Sequence, residues 1–68
     1  MKNTALVKAR HKAGFTQKQV ADYVGIAEVS YQRIEYGQQP SLRTAIRIAD
    51  LLNIRDLREL WSGNSAAQ

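Results

Sequence analysis

The sequence predicts a single all-α domain, a compact bundle of five short helices. Apolar residues recur at intervals of three and four residues in five successive segments, as they do along one face of an α-helix. Residues that can cap a helix N-terminus precede four of these segments: Asn3 or Thr4, Thr16, Ser41 and Asp56. No segment shows the two-residue alternation of a β-strand, and 68 residues suffice for one small domain.

The first helix is predicted to begin at Asn3 or Thr4 and to end at Gly14, because glycine after a helical stripe favours termination. The inward face of this helix comprises Leu6, Ala9, Arg10 and Ala13. Arg10 is a charged residue on this otherwise apolar face. We therefore expect it either to extend to solvent or to have a buried partner.

The second and third helices are predicted to be joined by a tight turn, which is a helix-turn-helix arrangement. Thr16 and Gln19 match a capping box at the start of helix 2, and Gly25 follows its last apolar residue. Helix 3 is predicted from Glu28 to Tyr36, without a side-chain cap since alanine precedes it. The predicted inward residues are Val20, Ala21 and Val24 in helix 2 and Tyr31, Ile34 and Glu35 in helix 3.

Two further helices complete the predicted domain. Ser41 follows a loop that contains Gly37 and Pro40, and it caps a helix predicted to end near Leu52. The apolar stripe of helix 4 is Leu42, Ala45, Ile48, Ala49 and Leu52. A last short helix is predicted from Asp56 to Trp61. The domain thus spans residues 1–61, and the small polar residues 62–68 are expected to form a flexible tail.

Composition and charge narrow the possible functions. The net charge is +4, but the excess lies in residues 1–14, since residues 15–68 carry six basic and six acidic residues. Without cysteine there is no disulfide or thiolate metal site, and no apolar run approaches the roughly 20 residues of a membrane helix. We therefore expect a cytoplasmic protein. We also expect that it is not an enzyme and has no metal or cofactor, because no nucleophile–base pair or ligand cluster accompanies the lone His11.

Several residues match a known family in order and spacing. They are Leu6, Arg10, Gly14-Phe15-Thr16-Gln17, Ala21, Val24-Gly25-Ile26, Ile34-Glu35, Gly37, Pro40-Ser41-Leu42, Ile48-Ala49, Leu52, Leu57, Leu60 and Trp61. Over roughly residues 5 to 61 the chain resembles the lambda-repressor-like helix-turn-helix domains, also called Cro/repressor-type or XRE-type. The resemblance implies a five-helix DNA-binding domain that places helix 3 in the major groove.

The resemblance also implies roles for individual residues. The expected base-contacting residues are Ala27, Glu28, Val29, Gln32 and Arg33. The expected phosphate-contacting residues are Thr16, Gln17, Tyr36, Gln38, Arg43 and Thr44, with Gln39 in the same loop as Gln38. Arg10 is expected to form a structural ion pair with Glu35, which gives the charge on helix 1 a buried partner.

The chemistry of helix 3 fits base recognition, but simpler roles remain open for the same residues. Arg33 can bind guanine, Gln32 adenine, Glu28 cytosine and Val29 a thymine methyl group. Glu28 can instead interact with the positive N-terminal end of the helix dipole, and its charge repels phosphate. Arg33 and Gln32 can be solvated surface residues, as can Lys8 and Lys12 on helix 1.

The expected function is that of a small transcriptional regulator, a phage-like repressor that binds an inverted-repeat operator in double-stranded DNA. Such domains bind as dimers on half-sites about one helical turn apart. We therefore expect a weak homodimer, at least on DNA, formed through helices 4 and 5, with Trp61 better explained as a core residue than as part of this interface. No small-molecule ligand is expected. The alternatives are an antitoxin that represses its own operon and a protein-binding adaptor that keeps the fold without binding DNA.

Overall fold

The computed structural model describes residues 2–65, and side chains as far as residue 61. Within these residues the structure is entirely helical, with no strand. In order, the helices are α1 (Thr4–Ala13), α2 (Gln17–Val24), α3 (Glu28–Glu35), α4 (Leu42–Leu51) and α5 (Arg58–Ser65). The predicted all-α, five-helix fold is therefore confirmed.

Helices α1 and α2 begin at the predicted caps. Oδ1 of Asn3 accepts a hydrogen bond from the backbone N–H of Leu6 at 3.0 Å. Thr16 and Gln19 form the full capping box, in which each side chain accepts from the other's backbone N–H, at 3.1 and 2.9 Å. Gly25 ends α2 with φ of 82°, a left-handed conformation that is least strained for glycine.

The core lies between the first four helices and is closed by α5. Leu6, Val20, Tyr31 and Ile48 supply one fully buried side chain each from α1, α2, α3 and α4. Leu60 and Trp61 of α5 pack against this cluster. Helix α2 contacts both α3 and α4, so it joins the helix that follows the turn to the rest of the core. Truncating a core leucine or isoleucine to alanine typically costs about 2–5 kcal/mol of stability.

The N-terminus of α1 is tied to two distant helices through one residue. The backbone N–H of Asn3 donates to the carbonyl of Glu35 at 2.7 Å, and its Nδ2 donates to the carbonyl of Leu60 at 2.7 Å. These bonds join α1 to the end of α3 and to α5. Asn3 therefore holds three helices together as well as capping the first.

The structure corrects some predicted boundaries and faces. Leu42 is 69% exposed rather than part of the buried stripe of α4, because it lines an open groove between α4 and α5 instead of packing in the core. Helix α3 ends at Glu35, and Tyr36 is its C-terminal cap. Helix α5 is bent at Trp61 (φ −133°, ψ 43°) and runs to Ser65. Residues 66–68 of the predicted tail lie outside the described residues, and the tail remains a prediction.

Candidate nucleic-acid interface

The exposed face of α3 follows directly after the turn that joins it to α2. Residues 28, 29, 32 and 33 lie within an arc of about 140° when the helix is viewed down its axis, since each residue turns by about 100°. The five expected base-contacting residues are thus grouped at the surface, where Gln32 is half-buried and the other four are exposed: Ala27, Glu28, Val29, Gln32 and Arg33. Within the described part of the chain, neither Glu28 nor Arg33 forms an ion pair.

Alanine at the start of α3 leaves the helix without a side-chain cap. Ala27 adopts an extended conformation, and no side chain accepts from the first turn of α3. The free backbone N–H groups of this turn therefore remain available to solvent or to a ligand. Glu28, in the first turn, interacts favourably with the positive end of the helix dipole. Its carboxylate thus has a stabilising role that does not require DNA.

The expected phosphate-contacting residues fall into separate parts of the surface. Thr16 stands at the N-terminus of α2, where its hydroxyl oxygen already accepts from Gln19. Tyr36 is 67% exposed at the end of α3, and Gln38 is exposed in the loop that follows. On α4, Arg43 is exposed and Thr44 is half-buried. The structure places Arg43 and Thr44 together beside the turn between α2 and α3, where they line a groove with Gly25.

A groove next to the helix-turn-helix turn, the basic groove, contains Arg47, which was not among the predicted phosphate-contacting residues. Its lining consists of Val24, Gly25, Ile26, Arg43, Thr44 and Arg47. Arg43 and Arg47 are one turn apart on α4, and neither forms an ion pair with any residue that the structure describes. Like charges at this spacing repel each other, so an anion bound between them would be stabilised. The four-residue spacing of the two arginines was the available sequence signal.

Behind the exposed face lies a buried ion pair between α1 and α3. Nε of Arg10 is 2.6 Å from Oε2 of Glu35, and Nη2 is 3.4 Å from Oε1. Nη1 of Arg10 also donates to the carbonyl oxygen of Phe15 at 3.0 Å. Glu35 is 2% exposed and Arg10 9% exposed. The guanidinium therefore joins the end of α3 to α1 and to the segment that enters α2.

The surroundings of Glu35 favour its ionised form despite burial. Burial by itself raises the pKa of this carboxyl, but hydrogen bonds from Arg10 and Gln17 outweigh it and hold the pKa below the ordinary value. Burial, together with the neighbouring Glu35 carboxylate, raises the pKa of the Tyr31 hydroxyl well above its usual range. The ion pair is thus a charged, hydrogen-bonded cluster within the core.

Gln17 connects this cluster to the exposed face of α3. Its Nε2 donates to Oε1 of Glu35 at 2.8 Å, and its Oε1 accepts from Nε2 of Gln32 at 3.2 Å. The side chain expected to contact phosphate therefore points toward Glu35 and Gln32. The backbone N–H groups in the first turn of α2 still face outward, as at any helix N-terminus. Sequence spacing alone could not show this connection, because it depends on how α2 and α3 pack.

The described residues contain no cluster of three or more His, Cys, Asp or Glu side chains that could hold a metal ion. None of the helices in this part of the chain is long and apolar enough to cross a membrane.

Comparisons with known proteins identify the family of the chain. A family model described as "Helix-turn-helix" matches residues 6–60. The SPbeta prophage-derived uncharacterized HTH-type transcriptional regulator YonR of Bacillus subtilis (strain 168) is 32% identical over 50 residues, which is 72% of this chain and 46% of that protein. The chain thus spans less than half the length of this curated relative. No solved structure matches the chain. By its matched residues and its fold, the chain belongs to the XRE-type helix-turn-helix family of DNA-binding domains.

Proposed function

We propose that this protein is a sequence-specific transcriptional regulator that inserts α3 into the major groove of double-stranded DNA. The observation that carries the proposal is the group of side chains at the start of α3, exposed immediately after the turn and backed by a buried ion pair. Family membership supports it, and a similar protein is described as an HTH-type transcriptional regulator. These features favour binding of DNA over catalysis.

The side chains on α3 divide into different kinds of base contact. Arg33 is exposed and unpaired within the described chain, so its guanidinium is free to donate to O6 and N7 of guanine together. Val29 is 54% exposed and can pack against a thymine methyl group. Glu28 can accept from N4 of cytosine, although it also stabilises the helix N-terminus. Ala27 has no polar group, and its contribution is to let the backbone approach the bases.

Contacts to the DNA backbone would come from elements that flank α3 in the chain. Before α3, the free N–H groups of the first turn of α2, next to Thr16 and Gln17, form an anion-binding helix N-terminus. After α3 come the exposed Tyr36 and Gln38 and the α4 residues Arg43 and Thr44, to which we add Arg47 because it lines the same groove as Arg43. Contacts of this kind position the protein without reading sequence.

We further propose a phage-like repressor that binds an inverted repeat as a weak homodimer. An apolar groove between α4 and α5 is lined by Gln39, Pro40, Leu42, Ala45, Leu57, Arg58 and Trp61. Leu42 projects beside this groove and is 69% exposed, so a second copy could bury it while leaving α3 free for DNA. Two copies related by a two-fold axis fit half-sites about 34–36 Å apart. The prophage origin of the relative favours the phage-like interpretation.

Selection from a random pool of duplex DNA tests this function directly. We expect the full chain to enrich an inverted repeat, with binding that weakens steeply as salt increases. The control is Arg55→Gln, which removes an exposed positive charge far from α3 in sequence and should enrich the same motif. If no duplex is bound even at low salt, the proposal is wrong, and a protein-binding adaptor becomes the better explanation.

A further inference from the structure

The buried carboxylate of Glu35 dictates the orientation of the Gln17 side chain. An ionised carboxylate only accepts hydrogen bonds, so the Gln17 atom that lies 2.8 Å from its Oε1 must be the amide nitrogen. The charge of Glu35 is in turn maintained by Arg10, which lies 2.6 Å from the other carboxylate oxygen. The carbonyl oxygen of Gln17 must therefore point away from Glu35.

The orientation of Gln17 then dictates that of Gln32. The Gln17 oxygen can only accept, and the atom that it faces at 3.2 Å is Nε2 of Gln32. This bond uses one of the two N–H groups on the Gln32 amide. What remains on Gln32 is its carbonyl oxygen and a single N–H, and the side chain is half-buried at the edge of the exposed face.

The free carbonyl oxygen and the remaining N–H of Gln32 form an acceptor beside a donor, which matches the major-groove edge of one base. Adenine presents a donor at N6 and an acceptor at N7, whereas guanine presents acceptors at both O6 and N7. A freely rotating glutamine amide could turn its nitrogen toward guanine. Gln32 cannot do so without losing its bond to Gln17, because its oxygen would then face the oxygen of Gln17.

We propose that Gln17 is a positioning residue for base recognition, which makes Gln32 selective for adenine over guanine by transmitting the polarity of the Arg10–Glu35 ion pair. This inference rests on the proposed function, since it assigns a base preference to a side chain of the same face. It differs from the role of a phosphate contact, which would affect all sequences equally.

The first test measures base preference at a single position of the enriched site. Gln32→Ala should remove a preference for adenine at one position in each half-site, a preference of about 5- to 150-fold over guanine. Gln17→Met, which keeps the length of the side chain but has no amide, should reduce the adenine-to-guanine ratio at that same position. The double variant should reduce this ratio no further than Gln32→Ala alone. An unchanged ratio in Gln17→Met would overturn the inference.

The matched control is Gln38→Met. Gln38 is an exposed glutamine whose side chain makes no hydrogen bond within the described chain. Its substitution should leave the adenine-to-guanine ratio as in the wild type, even if binding to every duplex weakens. A ratio lowered equally by Gln38→Met and Gln17→Met would overturn the inference, because the effect would not depend on the bond to Gln32.

A second test needs no DNA and separates this inference from the proposed function. In the free protein, hydrogen exchange of the Gln32 side-chain amide should be slower than that of Gln38, because one of its N–H groups is bonded to Gln17. In Gln17→Met the two amides should exchange at similar rates. Equally fast exchange in the wild type would overturn the inference whatever DNA the protein binds. A protected Gln32 in a protein that enriches no motif would instead overturn the proposed function and, with it, the assignment to adenine.

Discussion

Glu35 receives hydrogen bonds from Arg10 on α1 and from Gln17 on α2, at 2.6 and 2.8 Å. A single buried carboxylate thus joins three helices, since Glu35 itself ends α3. Removing this carboxylate should lower the stability of the fold. Because the carboxylate orients the Gln17 side chain, its removal should also change the exposed face of α3.

The buried ion pair should contribute more to stability than any exposed carboxylate. Glu35→Ala leaves the Arg10 guanidinium buried without its partner, which typically costs about 3–5 kcal/mol. Glu59→Ala removes an exposed carboxylate and should change stability by no more than about 0.5 kcal/mol. In thermal melts, a domain of this size loses about 4–8 °C for each kcal/mol. Equal melting temperatures for the two variants would contradict the structural role of the pair.

Acid should weaken the fold through Glu35. Its pKa in the folded protein is below the ordinary value of 4.5, so the unfolded chain binds the proton more readily. The stabilisation is therefore fully present above the unfolded pKa and is lost as the pH falls through the folded pKa. Urea titrations between about pH 5 and pH 3 should show stability falling more steeply in the wild type than in Glu35→Gln.

The control for this pH dependence is Asp56→Asn. The pKa of Asp56 is also lowered, chiefly by hydrogen bonds from Arg58, but this carboxylate lies at the surface. Its substitution should leave most of the acid dependence intact, because solvent weakens exposed ion pairs. The interpretation of Glu35 fails if Glu35→Gln retains the full slope and Asp56→Asn loses it.

The two arginines of the basic groove should contribute to affinity and not to sequence preference. Arg47→Gln should reduce the slope of log K against log salt by about 1, because one fewer phosphate is neutralised. Arg43→Gln should behave in the same way, whereas Arg55→Gln, an equal loss of charge in the segment after α4, should leave the slope nearly unchanged. Binding measured by fluorescence anisotropy at several salt concentrations checks this. A slope that Arg55→Gln reduces as much as Arg47→Gln does would indicate only general charge attraction.

Leu42 should contribute to dimerisation without contributing to the fold of one copy. Leu42→Glu places a charge at a position that is 69% exposed, so the melting temperature at low protein concentration should change little. Binding to a full inverted repeat should nevertheless lose its cooperativity, while binding to a single half-site is retained. Ile46→Glu, one turn further along α4 and 51% exposed, is the matched control. Unaltered cooperativity in Leu42→Glu would place the dimer surface elsewhere.

The sequence predicted those features of the fold that depend on neighbouring residues. The capping box of Thr16 and Gln19 is local, and so is the left-handed glycine that ends α2, so both could be recognised from spacing. Arg10 and Glu35 each interrupt an apolar face, and buried charges require partners. The resemblance to lambda-repressor-like domains named the two residues as partners, and this requirement agrees with it.

Features that depend on the distance between helices could not be predicted in this way. Periodicity placed Leu42 on the inward face of α4, but it could not show that no neighbouring helix covers this side chain, which is 69% exposed. Spacing likewise gave no sign that Gln17 lies between Glu35 and Gln32. The five residues of the expected base-reading face do lie together at the surface, because they are the N-terminal cap of α3 and members of its first six residues. Their contacts with DNA remain predictions.

Selection from random duplex DNA with the wild type and Arg33→Ala tests whether this face of α3 reads bases. We expect the wild type to enrich an inverted repeat and Arg33→Ala to enrich the same repeat with one position relaxed in each half-site. The relaxed position should correspond to a loss of about 1–3 kcal/mol. Enrichment of no motif by the wild type, or an unchanged motif in Arg33→Ala, would contradict base recognition by this face of α3.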